Sequence, residues 1–323
     1  MTITARPRRR KKIRRQLRAL KTLSTPIEPG GWSTTPTTRT VPLWIAVLLT
    51  GGFYAVGWFD GLVNAIIYLV APWQPSALSS PRLLIELVSS LGIIALAVAV
   101  MWLLARLTAQ TPSAVGLTAR RTAPRGQTLS VALLAFGLIW AVKLLGEAVP
   151  SNDFPHNPTQ DTLNSALRLL ESVLSGAGEE LALLAVPVLA LRAAGVRWRW
   201  IYVITVVMRV SFHLYYGVPF ALLLGLWAFG LVLLYQYTGR IWGLFLAHAV
   251  HNGIGILSFV TDQALGRDDA PLSLVVAGVP TVLLLILAIR HVGLAVDGWS
   301  VMRRTGSRLM WRPRNRQPRS TPQ

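Results

Sequence analysis

Cysteine is absent from this 323-residue chain, which excludes disulfides, cysteine-ligated zinc, iron–sulfur clusters and thiol nucleophiles. Charge is scarce as well. Only 14% of residues are Asp, Glu, Lys or Arg, against roughly 25% in soluble domains, while 53% are hydrophobic. Negative charge is the scarcest of all, with 13 Asp and Glu beside 32 Lys and Arg, a formal net charge of +19. This balance excludes an ordinary water-soluble fold. The 26 Gly, 20 Pro and 12 Trp suit a multispanning membrane protein, in which Trp gathers at the interfaces.

A helix needs about 20 apolar residues to cross a hydrocarbon layer of about 30 Å. Eight such stretches occur, at about 41–70, 83–104, 129–149, 163–191, 200–216, 219–237, 241–260 and 272–292. The expected fold is therefore all-α, a polytopic membrane protein with about eight transmembrane helices around a polar intramembrane cavity. Three regions follow: a basic disordered tail at 1–40, a membrane domain at 41–295 whose core lies at 163–260, and a basic tail at 296–323. Lys and Arg concentrate in cytoplasmic loops. With both termini inside, 27 of the 32 basic residues fall on the cytoplasmic side. The expected location is integral to a membrane, the bacterial cytoplasmic membrane, with both termini cytoplasmic. The run R-P-R-R-R-K-K-I-R-R near the start reads as an anchor on anionic lipids. A nucleic-acid partner is disfavoured because no base-reading motif accompanies the arginines. Nothing in the pattern sets an oligomeric state.

Ionisable side chains at hydrocarbon depth mark functional positions or water-filled cavities, and here they gather in the second half of the chain. Glu179 and Glu180, in G-A-G-E-E-L, lie about twelve residues before Arg192, about 18 Å along a helix. Adjacent helical positions point about 100° apart. The two carboxylates are therefore expected to face different targets, one at the chemistry and one supporting a neighbouring helix. Gly176 and Gly178 permit close helix approach beside them. Arg209 and His213 share a helix face at i and i+4, as do His248 and Asn252, with His251 rotated away. A carboxylate with an imidazole can deprotonate a water, and an imidazole N–H with an amide N–H can hold an oxyanion. That set suffices for metal-free hydrolysis of an amide. Taken singly, each residue reads more simply as a hydrogen-bonded packing group; on three helices together they read as a site. No cofactor is expected. Zinc is the alternative, since two histidines and a carboxylate can ligate it, although no H-E-x-x-H is present.

Glu179-Glu180, His213 and His248-x-x-x-Asn252, in this order on apolar helices, resemble the signature of the CPBP family of intramembrane proteases over about residues 165–260. These are the CAAX prenyl protease and bacteriocin-processing, or Abi-like, proteins. Their motifs are E-E-x-x-x-R, F-x-x-x-H and H-x-x-x-N or H-x-x-x-D. Two positions depart from them: Leu184 stands in the arginine place, and Arg209 in the phenylalanine place. The resemblance implies that Glu179 and His213 activate a water, that His248 and Asn252 stabilise the oxyanion, and that Glu180 is a supporting residue. Arg209 is expected to cross to Glu180 and replace the missing arginine. The implied activity is endoproteolysis of a membrane-associated peptide or protein. The alternative is a catalytically inactive member acting as a membrane scaffold, immunity protein or transporter-like binding protein. The cytoplasmic charge bias and the short turn at Arg240 point to a cavity open from the cytoplasmic side.

Overall fold

A computed structural model of the chain describes residues 41–71, 79–118, 127–146 and 162–264. The two expected basic tails and the eighth span lie outside these residues. Within them every regular element is a helix: α1 is Leu43–Val70, α2 Ser80–Leu107, α3 Gln127–Gly146 and α4 Thr162–Glu179. The last of these passes through a π-helical segment, Glu180–Ala185, directly into α5, Val186–Ala193. Then come α6 at Trp198–Phe212, a 3-10 turn at Leu214–Tyr216, α7 at Val218–Thr238 and α8 at Ile241–Ala264.

Five stretches are long and apolar enough to cross a membrane: Leu43–Val70, Ser80–Leu107, Leu163–Ala193, Val218–Thr238 and Ile241–Ser258, with Val131–Gly146 a shorter apolar helix. The protein is an all-α polytopic integral membrane protein. Large apolar side chains stand exposed on its outer helices, Val56 and Val70 on α1 and Ile85 and Val88 on α2 among them. Such a face suits lipid, where the helix satisfies its own backbone hydrogen bonds. The expected fifth span is shorter than a membrane crossing. With 15 residues, α6 extends only about 22 Å before the chain turns at His213.

Leu163–Ala193 is the central element. Its apolar window is 83% buried within the protein, against 17% to 39% for the other four spans. It packs against α2 and α8 through its α4 part, while α1 packs on α5 and α6, and α3 on α7 and α8. Pairings between Ser80 and Asn164, Glu86 and Arg168, and Ile94 and Gly178 set α2 parallel to α4. Contacts of His248 with Gly176 and of Gly253 with Val173 set α8 antiparallel to it.

One end of the bundle is clasped by short-range joints. The Val41 amide donates to the Ala193 carbonyl at 3.0 Å, and the segment after α2 docks on the α7–α8 turn. There the Tyr235 hydroxyl donates to the Val115 carbonyl at 2.8 Å and the Trp242 indole to the Leu117 carbonyl at 3.0 Å. Gly239 ends α7 in the left-handed conformation, φ +61°. Gly116, at φ +85°, lies so close that a Cβ would stand 2.3 Å from the Gly239 carbonyl oxygen. Gly116→Ala is therefore expected to destabilise the protein by about 1–3 kcal/mol through overpacking and backbone strain, read as a lowered Tm in detergent.

Candidate active site

The local cause of the site is a proline. Pro187 has no N–H, and its ring collides with the carbonyl four residues back, that of Leu183, in an unbroken α-helix. The helix relaxes into the π-helical segment Glu180–Ala185, a widening that recurs at functional positions. Glu179 and Glu180 sit on its first turn.

Both carboxylates meet one guanidinium. Arg209 on α6 donates from Nη1 to Glu179 Oε2 and from Nη2 to Glu180 Oε1, the latter at 2.9 Å. The expectation of two different targets is thus corrected for this contact. A guanidinium is a planar fork whose terminal nitrogens reach acceptors set apart on the helix surface. His248 on α8 donates from Nδ1 to the same Glu180 Oε1 at 2.8 Å, so this oxygen serves two helices while Oε2 lies buried without a hydrogen-bond partner. Trp227 on α7 closes the cluster. Its ring lies 4.8 Å below the Arg209 guanidinium and meets the His248 ring edge-on, also at 4.8 Å between centroids. Two carboxylates and one guanidinium leave one formal negative charge beside His248.

His213 is the residue at which α6 ends. Its Nδ1 lies 2.8 Å from the Arg209 carbonyl oxygen, which can only accept, so Nδ1 carries the hydrogen and Nε2 is left for another partner. Arg209 therefore positions two groups at once, Glu179 through its side chain and His213 through its backbone. Asn252 is one turn beyond His248 and donates from Nδ2 to the Ser172 carbonyl at 3.0 Å. That bond fixes the amide against α4 and leaves its second N–H for another acceptor. His251 turns to α3, edge-on to Trp140 at 5.6 Å.

Depth separates the two glutamates. The Glu180 side chain is 0% exposed and the Glu179 side chain 10%, so of the pair Glu179 is the one a water can reach. Leu184, in the expected arginine place, is buried in the apolar core, where it packs and pairs with no charge. Trp227 and Trp58, the latter a neighbour of Glu179, also belong to the cluster. Neither announces itself in the sequence, because a tryptophan within an apolar run reads as packing or interface.

Among the described residues no three of His, Asp and Glu gather as metal ligands, and a guanidinium occupies the space between the carboxylates.

Of the two glycines, Gly176 is the demanding one. A Cβ there would stand 2.2 Å from Asn252 Nδ2 and 3.0 Å from His248 Cδ2, whereas one on Gly178 would meet Ile94 at an ordinary 3.4 Å. Gly176→Ala is expected to push α8 away from α4 and abolish activity, with about 1–3 kcal/mol of destabilisation. Gly178→Ala is expected to leave activity near the parent level, and parallel cleavage assays on the two variants check the contrast.

Carboxylate, guanidinium, imidazole and amide groups thus converge from three helices of a polytopic membrane protein, a set with the chemistry of an intramembrane hydrolytic site. The family follows from comparison: residues 162–254 match the model of the type II CAAX prenyl endopeptidase Rce1-like family. The matched segment, from the start of α4 into α8, is thus similar to the CAAX-type intramembrane protease domain of that family. No curated protein and no solved structure shows significant similarity to it.

Proposed function

We propose that this protein is a metal-independent glutamate intramembrane endopeptidase that hydrolyses a peptide bond of a membrane-associated substrate. Glu179 and His213 take a proton from water. The hydroxide oxygen adds to the scissile carbonyl carbon, and the carbonyl electron pair becomes an oxyanion that accepts from His248 Nε2–H and the second N–H of Asn252. The tetrahedral carbon then expels the amine, which recovers the proton held by the acid. Glu180 and Arg209 position these groups. The observation that carries the reading is the double hold of Arg209, which fixes the solvent-reachable carboxylate and the imidazole from a single residue. The same reading proposes a bacterial cytoplasmic membrane with both termini cytoplasmic and the basic tails on anionic lipid, supported by the positive-inside bias of the loops.

The absent motif arginine favours a second reading, a non-cleaving scaffold, immunity protein or transporter-like binder. Proteoliposomes of the full chain, incubated with a membrane-anchored peptide library, separate the two. Cleavage is expected, with losses of about 100-fold or more in His213→Ala and Asn252→Ala at an unchanged Tm. No cleavage by the parent protein across the library overturns the enzyme reading in favour of the second.

A further inference from the structure

A groove of about 660 Å³ runs along α2, and no residue of the charged cluster lines it. Its volume lies in the range of small-molecule sites, about 300–1,000 Å³. Ala95, Val98, Ala99 and Trp102 form the α2 side, and Leu117 and Trp242 stand on the facing side. The spacing i, i+3, i+4 and i+7 puts the four α2 residues on one helix face. Two alanines keep the floor of that face low, and Ala95, Ala99 and Trp102 are exposed along it. The facing wall is held in place, because the Trp242 indole donates to the Leu117 carbonyl at 3.0 Å. Arg106 continues the same face of α2. It lies eleven residues beyond Ala95, which is about three full turns and leaves the two within about 20° of each other around the axis.

Depth and charge then select an occupant. From Ala95 to Arg106 the groove face runs about 16 Å along the helix, about half of a 30 Å hydrocarbon layer and so the depth of one leaflet. At its outer end the Arg106 guanidinium lies over the Trp102 ring, 4.6 Å from the centroid, a cation–π contact that holds it at the groove mouth. Arg106 is exposed, and among the described residues no carboxylate pairs with it. Arg192, Arg197 and Arg199 stand at the same end of the bundle, beside the joint of Val41 with Ala193. Past Thr118, which lines the groove, the sequence continues with Ala119, Arg120 and Arg121. A long apolar trough of one-leaflet depth with a free cation at its mouth has the form of a phospholipid.

We propose that this groove binds one anionic phospholipid, with an acyl chain along Ala95, Val98 and Ala99 between the two tryptophans and the phosphate on Arg106. The aliphatic floor takes the chain, and the guanidinium offers a fork of N–H donors that matches phosphate oxygens. A zwitterionic headgroup would bring its own cation to the arginine-rich end, whereas an anionic one brings none. The site belongs to the helical bundle and is separate from the basic tails. It stands independently of catalysis. Arg199 provides a matched comparison: its guanidinium also lies over a tryptophan, Trp200 at 5.6 Å, yet neither residue lines the groove.

The test reconstitutes the full chain in phosphatidylcholine vesicles that carry a small fraction of photoactivatable phosphatidylglycerol or, in parallel, of photoactivatable phosphatidylcholine with the same acyl chains. After irradiation, peptide mass spectrometry maps the crosslinks, and the yield on the groove segments of α2 and α8 is divided by the yield on the lipid-facing side of α1. This ratio is expected to be about fivefold higher for phosphatidylglycerol, the gain from one arginine beside an anionic headgroup. Arg106→Gln is expected to bring it down to the phosphatidylcholine level, and Arg199→Gln to leave it unchanged. Ala99→Phe fills the floor and is expected to lower the groove yield of both lipids; Ala95→Phe, one turn away, replaces it if Ala99→Phe lowers the Tm. Equal ratios for the two lipids in the parent, a preference that survives Arg106→Gln, or an equal loss in Arg199→Gln overturns the site, the last by showing diffuse charge attraction. A groove yield unmoved by the filling variant overturns it as well. Chain-to-chain crosslinks through the groove in place of lipid would assign this face to a second copy of the protein.

Discussion

Arg209→Leu is expected to abolish cleavage and to destabilise the protein by about 3–5 kcal/mol, the range seen when one partner of a buried ion pair is removed and the other charge is left behind. Here one guanidinium, 2% exposed, holds both Glu179 and Glu180. Without it two carboxylates share a buried site with no guanidinium between them, and the carbonyl that orients His213 sits on a helix end that has lost its anchor. Arg209→Lys tests the fork: an ammonium is a point donor that cannot serve both carboxylates in the same geometry, so intermediate stability and low activity are expected. The triple variant Arg209→Leu, Glu179→Gln, Glu180→Gln is expected to recover much of the lost stability while remaining inactive, because removing a whole buried ionic set is far less costly than breaking it. Thermal unfolding in detergent and cleavage by reconstituted protein measure the two effects. A normal Tm and normal cleavage in Arg209→Leu would remove Arg209 from the site.

Much of this arrangement is legible in the residues, for an identifiable physical reason. Ionisable groups are rare in an apolar chain, so Glu179, Glu180, Arg209, His213 and His248 stand out, and the only way to bury them is together. The crossing of Arg209 to Glu180 follows from the same logic, since Leu184 leaves a buried acid without its expected cation. What periodicity conceals is local geometry. A regular helix puts adjacent residues about 100° apart, and the shared grip on Glu179 and Glu180 emerges only once Pro187 has opened the helix into the π segment and a forked side chain meets it. Likewise, hydropathy treats α6 as one more span, although it stops after 15 residues at His213.

The asymmetry between the two glutamates supports a sharper expectation. Glu179→Gln preserves shape and an acceptor for Arg209 but removes the base that takes the water proton, so cleavage is expected to fall by about 10²–10⁴-fold. The loss belongs in kcat with KM unchanged, because the proton transfer occurs only on the way to the transition state. The Tm is expected to stay close to the parent value, since this side chain is 10% exposed and the amide keeps an acceptor for Arg209. Glu180→Gln is expected to show the opposite profile. Its Oε1 accepts from both Arg209 and His248, and its Oε2 is already buried without a partner. An amide there places N–H₂ donors in a pocket without acceptors and removes the charge that faces the imidazole, at a cost of about 1–3 kcal/mol of stability. Its residual cleavage is expected to track the folded fraction and the orientation of His248. Measured together, the two variants divide the pair into one residue that reacts and one that holds. Full-rate cleavage by Glu179→Gln would sink the water-activating role of Glu179, and a kcat collapse at unchanged stability in Glu180→Gln alone would transfer that role to the buried carboxylate.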